Sequence, residues 1–163
     1  MSPEAPAFLV TLEQSTLGAA IRQSVWIYPA ANVGHILALT LLAASVAVMD
    51  LRLLGAFRET VPAAVIVPAR RVAMLALTLM LLTGLTLFTA EASHVAMNPV
   101  FQLKMGLIAL AVLNALIVQR TLPAVLTKTP AMTPLPARFR VAAVISLALW
   151  FCVAAAGRLI AYF

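Results

Sequence analysis

The sequence predicts an all-α integral membrane protein: a four-helix bundle with an N-terminal amphipathic helix lying on the membrane surface. Three observations lead there. Of 163 residues, 64% are hydrophobic and 10% charged, whereas a soluble domain is roughly half apolar and about a quarter charged. The mean hydropathy of +1.07 points the same way. Four apolar stretches each approach the 20 or so residues that carry a helix across a bilayer core. Finally, Lys and Arg are distributed unevenly between the segments that join these stretches.

The first element, residues 1–28, starts with a helix signal at Ser2-Pro3-Glu4. Phe8, Leu9, Leu12, Leu17, Ala20, Ile21 and Val25 follow at helical spacing, opposed by Glu13, Gln14, Arg22 and Gln23. Such a pattern predicts one amphipathic helix in the interfacial plane. Trp26 and Tyr28 stand where an aromatic belt belongs. The segment has no basic start, and Glu4 and Glu13 interrupt its apolar pattern. No cleavable leader is therefore expected, and insertion rests on the internal spans.

The spans are read as residues 31–54, 72–90, 99–118 and 141–163, within one domain covering 29–163. Span one carries Asn32, His35, Asp50 and Arg52, and Gly55 is placed to stop it. Span two contains no charge. In span three, Asn98 is expected to cap the helix and Pro99 to occupy its first position, where a missing N–H costs nothing. Lys104 lies near its start, and Asn114 sits deep inside as expected interhelical hydrogen-bonding glue. Span four is interrupted late by Arg158. Pro62, Pro68, Pro123, Pro130, Pro134 and Pro136 mark connectors that are at least partly extended.

Orientation follows from the basic residues. Arg52, Arg58, Arg70, Arg71, Arg120, Lys128, Arg138 and Arg140 lie on the side of the first and third connectors. The opposite side holds Arg22, Lys104 and Arg158. This bias predicts cytoplasmic connectors and periplasmic termini in a bacterial inner membrane. Asp50 is expected to pair with nearby arginines. The net charge of +6 rests on only eleven Lys and Arg, and no nucleic-acid motif accompanies it. Cys152 is a lone cysteine in an apolar run, expected as a small packed side chain.

Ionisable groups inside a bilayer are expensive and mark functional sites. His35, His94, Lys104 and Arg158 all fall in the leaflet next to the termini. Haem b needs an axial imidazole, and its propionates need cationic partners. His35 is the expected axial ligand, His94 a second ligand or near neighbour, and Lys104 and Arg158 the propionate partners. Gly34, Ala38 and Gly84 are small enough to admit a macrocycle. A depth difference of roughly 12 Å between the histidines, at 1.5 Å per residue, leaves ligation by His35 alone as a variant. Copper is the competing reading, through His94, Met97 and His35, since thioether and imidazole suit Cu(I). A cofactor-free structural or assembly subunit is a third. No hydrolase or transferase motif can be assembled from two histidines and five acids. Redox activity stays open. The expected partners are the bilayer, a redox protein or quinone, and a second copy of the chain; nucleic acid is not among them.

Three stretches, HILALTLLAASVAVMDLRLLG, NPVFQLKMGLIALAVLNALI and GRLIAY, resemble a family of small bacterial four-helix membrane proteins. More distantly, His35 early in span one and Lys104 opening span three resemble HemJ-type protoporphyrinogen oxidases and CopD-type copper-resistance proteins. The first resemblance implies tetrapyrrole chemistry and the second copper handling.

Overall fold

The computed structural model describes residues 5–162. Seven α-helices follow in order: α1 (Ala7–Gln14), α2 (Thr16–Gln23), α3 (Ile27–Leu54), α4 (Pro62–Ala90), α5 (Ala92–Met97), α6 (Pro99–Leu126) and α7 (Ala137–Leu159), and a 3-10 turn, Ile160–Tyr162, follows. Helices α3, α4, α6 and α7 are long and apolar enough to cross a membrane. Exposed leucines such as Leu81, Leu82, Leu110 and Leu113 leave their flanks apolar, as a multi-pass membrane bundle requires.

Residues 5–24 do not form one helix. Ser15 is extended (φ −60°, ψ 157°), and its hydroxyl accepts from the Gly18 amide, so the chain breaks and restarts as α2. The break lets Leu9 on one short helix and Gly18 and Ile21 on the next bury together. Gly18 has to be glycine. A Cβ there would stand 2.5 Å from the Glu13 carbonyl oxygen and 3.0 Å from that of Thr89. The Ser2-Pro3-Glu4 start lies outside the described residues, as does Phe163 at the end of span four.

The spanning helices are longer than the apolar runs. Pro62 opens α4 at its first turn, while Pro68 lies inside α4 and Pro123 inside α6, so these three prolines are helical rather than extended. An interior proline removes one main-chain bond at a cost of about 3 kcal/mol. Tertiary burial of their neighbours compensates: Ile66, Leu122 and Leu126 join Leu53, Leu135, Phe139 and Ala143 in the core at the connector end. Pro130, Pro134 and Pro136 do lie outside the helices. The predicted caps form. Asn98 Oδ1 accepts from the amides of Val100 (2.9 Å) and Phe101 (3.2 Å), and Gly55 ends α3 at φ 114°. Asn114 Nδ2 donates across to the Ala142 carbonyl on α7 at 3.0 Å.

Helices α3 and α4 form one packed hairpin and α6 and α7 the other, with α3 against α7 joining them. The α3–α4 seam is built from Ala38, Leu42, Val46, Ala73, Ala76 and Met80. Helices α4 and α6 hardly meet at the level of the backbone. The bundle is therefore closed on three sides and open on the fourth.

Two further expectations fail here. Among the described residues Asp50 forms no ion pair: it is buried, and its Oδ2 lacks a partner. Its helix turns it into the α3–α7 side rather than towards the connector arginines. Cys152 is exposed on the outside of α7 rather than packed.

Candidate functional site

Where α4 and α6 separate, a cavity of about 510 Å³ opens at the terminal half of the bundle. That volume lies within the usual ligand-pocket range of about 300–1,000 Å³. Its walls are mostly apolar, with Leu81, Leu85 and Met105 both lining it and exposed on the flank of the bundle. The cavity thus opens sideways, towards where lipid would lie. Trp150 and Val153 of α7 close its back. Phe88 of α4 and Phe101 of α6 stack across its terminal end, ring centroids 5.7 Å apart and 16° from parallel.

Few polar side chains reach this space. His35 is one, and its orientation is fixed by α4. Its Nδ1 lies 2.9 Å from Thr83 Oγ1, while the Thr83 hydroxyl proton is directed to the Leu79 carbonyl at 2.7 Å. A hydroxyl has one proton; with that proton on the Leu79 carbonyl, the tautomer with Nδ1–H donating to Thr83 is the one that fits. The imidazole then carries its free lone pair on Nε2, the arrangement that partner groups impose on metal-binding histidines. Gly84 makes room for the ring: a Cβ there would stand 3.2 Å from His35 Cε1. The smallness of Gly34 and Ala38 serves other neighbours. Gly34 packs against Thr83 Cγ2, and Ala38 is buried in the α3–α4 seam.

Lys104 is the second. Its stem crosses from α6 to α7, placing Nζ 3.5 Å from where a Cβ on Gly157 would be. It has no hydrogen bond or ion pair among the described residues; the one ion pair there is Arg22–Glu13 at 3.8 Å. His35 contacts α4 at Gly84, six residues before its end, and Lys104 lies five residues into α6. At 1.5 Å per residue both are roughly 8–9 Å from the terminal ends of those helices. An imidazole and a lysine side chain without a partner among the described residues therefore share one apolar cavity at one depth. Nearer the rim, Tyr28 Oη donates to Glu91 Oε1 at 3.0 Å.

The other expected site residues lie elsewhere. His94 is exposed on α5 and does not line the cavity; Glu13 is a charged neighbour. Arg158 is exposed on α7, stacked 4.9 Å over the Tyr162 ring and donating to its hydroxyl. Met97 does not line the cavity either, and among the described residues no three of His, Cys, Asp and Glu gather as a metal site. The reason is that 92–97 is a helix, not a loose connector. It is docked on α1, where the Glu13 carboxylate accepts from the Ser93 amide (2.8 Å) and hydroxyl, and of its residues Val95 is the one that lines the cavity. Those two bonds hold the Glu13 carboxyl below the usual carboxylate range. Arg22 completes the clasp by donating to the Ala90 carbonyl at 2.7 Å.

Thr83, Trp150 and the Phe88–Phe101 pair escaped the sequence reading. Thr83 gives no local signal, because Thr78, Thr86 and Thr89 send their hydroxyls to the carbonyl four residues back in the same way. Met80, Thr83 and Phe88 around Gly84 were visible in the sequence but indistinguishable from ordinary lipid-facing helix.

Fold and cavity together define an all-α multi-pass membrane bundle with a lateral, histidine-bearing cavity. The chain belongs to the family of unknown function DUF6644, whose model matches residues 8–163. No curated protein and no solved structure matches it.

Proposed function

We propose that this chain is a b-type cytochrome-like membrane protein that holds haem in the lateral cavity, with His35 as its protein ligand. The observation that carries the reading is the placement of His35: its Nδ1 is held 2.9 Å from Thr83 Oγ1, which leaves Nε2 as the ring nitrogen available to a ligand, at the wall of an apolar cavity of about 510 Å³. Thr83 orients the imidazole, Gly84 gives it space, and Lys104 offers an unpaired cation for a carboxylate of the ligand. When bound, haem would supply one-electron chemistry at a potential tuned by its axial ligand and by the apolar walls. The residues of this chain bind and orient it, keep water away, and leave one flank open to the bilayer, from which a lipid-soluble redox partner such as a quinone could approach.

His94 and Arg158 are left out of this reading because they lie outside the cavity. Ligation by a single histidine is the form it takes. The copper alternative draws on His94, Met97 and His35, and only His35 lines the cavity. The Lys and Arg bias supports insertion in a bacterial inner membrane with the termini, and hence the cavity, on the periplasmic side.

The test is an absorption spectrum of the protein purified after expression with haem precursor, oxidised and then reduced. A Soret band that is lost in His35→Ala and kept in His94→Ala is the expected result. Absence of the band from the wild type, with stoichiometric copper by metal analysis, would replace this reading with copper binding. Absence of both would favour a structural or assembly subunit.

A further inference from the structure

The opposite end of the bundle carries a second polar feature, built from three arginines. Arg52 in the last turn of α3, Arg58 in the following connector and Arg140 in the first turn of α7 line one small recess with Thr133 and the backbone of Gly55. Arg52 is 1% exposed, the largest fully buried side chain of the molecule. Its Nη2 donates to the Thr60 carbonyl at 2.9 Å, while its Nε is buried without a partner. Arg58 folds back over Gly55, its Nε donating to the Gly55 carbonyl at 2.9 Å. The connectors are tied together where the Met132 amide donates to the Arg58 carbonyl at 2.7 Å. Arg52 and Arg58 are thereby held in place.

No acid balances them. Asp50 and Glu59 do not line the recess, and neither forms an ion pair among the described residues. Three guanidinium groups around one recess repel one another, and a buried N–H without an acceptor costs free energy of its own. An anion with several acceptor oxygens relieves the repulsion, and guanidinium groups match phosphate oxygens in fork geometry. The recess encloses about 10 Å³, room for about one water-sized sphere. It can seat one oxygen of an oxyanion and leave the remainder at its mouth.

We propose that the Arg52–Arg58–Arg140 recess binds a phosphate oxyanion, supplied by the headgroup of an anionic phospholipid in the adjoining leaflet. The setting favours that source. The recess lies where α3 ends and α7 begins, at the level of headgroups, and basic pockets between spanning helices commonly take anionic lipid there. Its shallow form suits a phosphate whose glycerol and acyl chains stay outside.

The experiment uses the full chain in mild detergent, with native mass spectrometry of retained lipid and thermal unfolding followed by Trp26 and Trp150 fluorescence. Phosphatidylglycerol, phosphatidylcholine and inorganic phosphate are compared. Retention of one phosphatidylglycerol in preference to phosphatidylcholine, weakened roughly tenfold or more by Arg58→Gln with Arg140→Gln, supports the proposal, provided Arg71→Gln retains lipid as the wild type does. Arg58 and Arg140 are exposed, so this pair avoids the folding risk of changing buried Arg52, and circular dichroism checks it. Stabilisation of the wild type by inorganic phosphate alone, absent from the pair variant, supports the oxyanion site and changes its source to free phosphate. Equal lipid retention in the wild type and the pair variant, equal loss in Arg71→Gln, or no response to any of the three additions overturns it.

Discussion

Replacing Thr83 by valine is the sharpest perturbation of the candidate site. Valine keeps the shape of threonine and removes the hydroxyl. The Leu79 carbonyl keeps its main-chain partner four residues on, so α4 stays intact. What disappears is the acceptor 2.9 Å from His35 Nδ1. Loss of a group that orients a metal-binding histidine typically costs about 10–100-fold. Haem affinity is therefore expected to fall by about 10–100-fold in Thr83→Val, and to recover in Thr83→Ser. The assay is a haemin titration of purified protein followed at the Soret band, with thermal unfolding as a control on the fold. Wild-type affinity in Thr83→Val, or a loss in Thr83→Ser as large as in Thr83→Val, would refute the assignment of Thr83 as the group that sets the tautomer of His35.

Gly84→Ala should separate stability from binding. Alanine is the better helix former by about 1 kcal/mol, so unfolding temperature should not fall, but a Cβ 3.2 Å from His35 Cε1 must displace the ring, and haem retention should drop. Gly18→Ala should act on the fold alone. Its Cβ would meet backbone oxygens at 2.5, 2.9 and 3.0 Å, and overpacking of this kind costs about 1–3 kcal/mol, readable as a lower unfolding temperature and faster hydrogen exchange in α1 and α2. The Glu13 clasp should loosen in acid. Its folded carboxyl lies below the ordinary 4.5, chiefly through the Ser93 hydroxyl and then the Ser93 amide. Its stabilising contribution is thus complete above that value and is lost as pH falls through the lowered folded one. Hydrogen exchange in α1 should rise over that window in the wild type, and in Glu13→Gln it should be raised at neutral pH without that acid step.

Much of the architecture could be read from single residues and short patterns. Asn98-Pro99 specified the start of α6 and Gly55 the end of α3, because caps are local chemistry: one side-chain oxygen meeting two amides, one residue free to take a positive φ. Asn114 could be assigned to an interhelical bond because an amide in a membrane span has few other options. Patterns that rest on competition between local and tertiary terms misled. Pro68 and Pro123 read as marks of partly extended connectors, yet burial of Ile66, Leu122 and Leu126 beside them outweighs one lost main-chain bond. The 1–28 pattern read as one amphipathic helix, since periodicity does not register a break at Ser15 that two docking surfaces impose.

The site divides in the same way. Four long apolar runs, their basic flanks and two polar intruders, His35 and Lys104, were determined by the sequence, because the cost of polar groups in a bilayer is a property of residue type and position along a span. Whether a given polar group faces a cavity, a neighbouring helix or open surface depends on rotation about the helix axis and on which helices touch. Only the tertiary structure decided those. It left α4 and α6 apart, turned His35 and Lys104 into the gap between them, set Thr83 Oγ1 against the imidazole, and carried His94 and Arg158 to the outside.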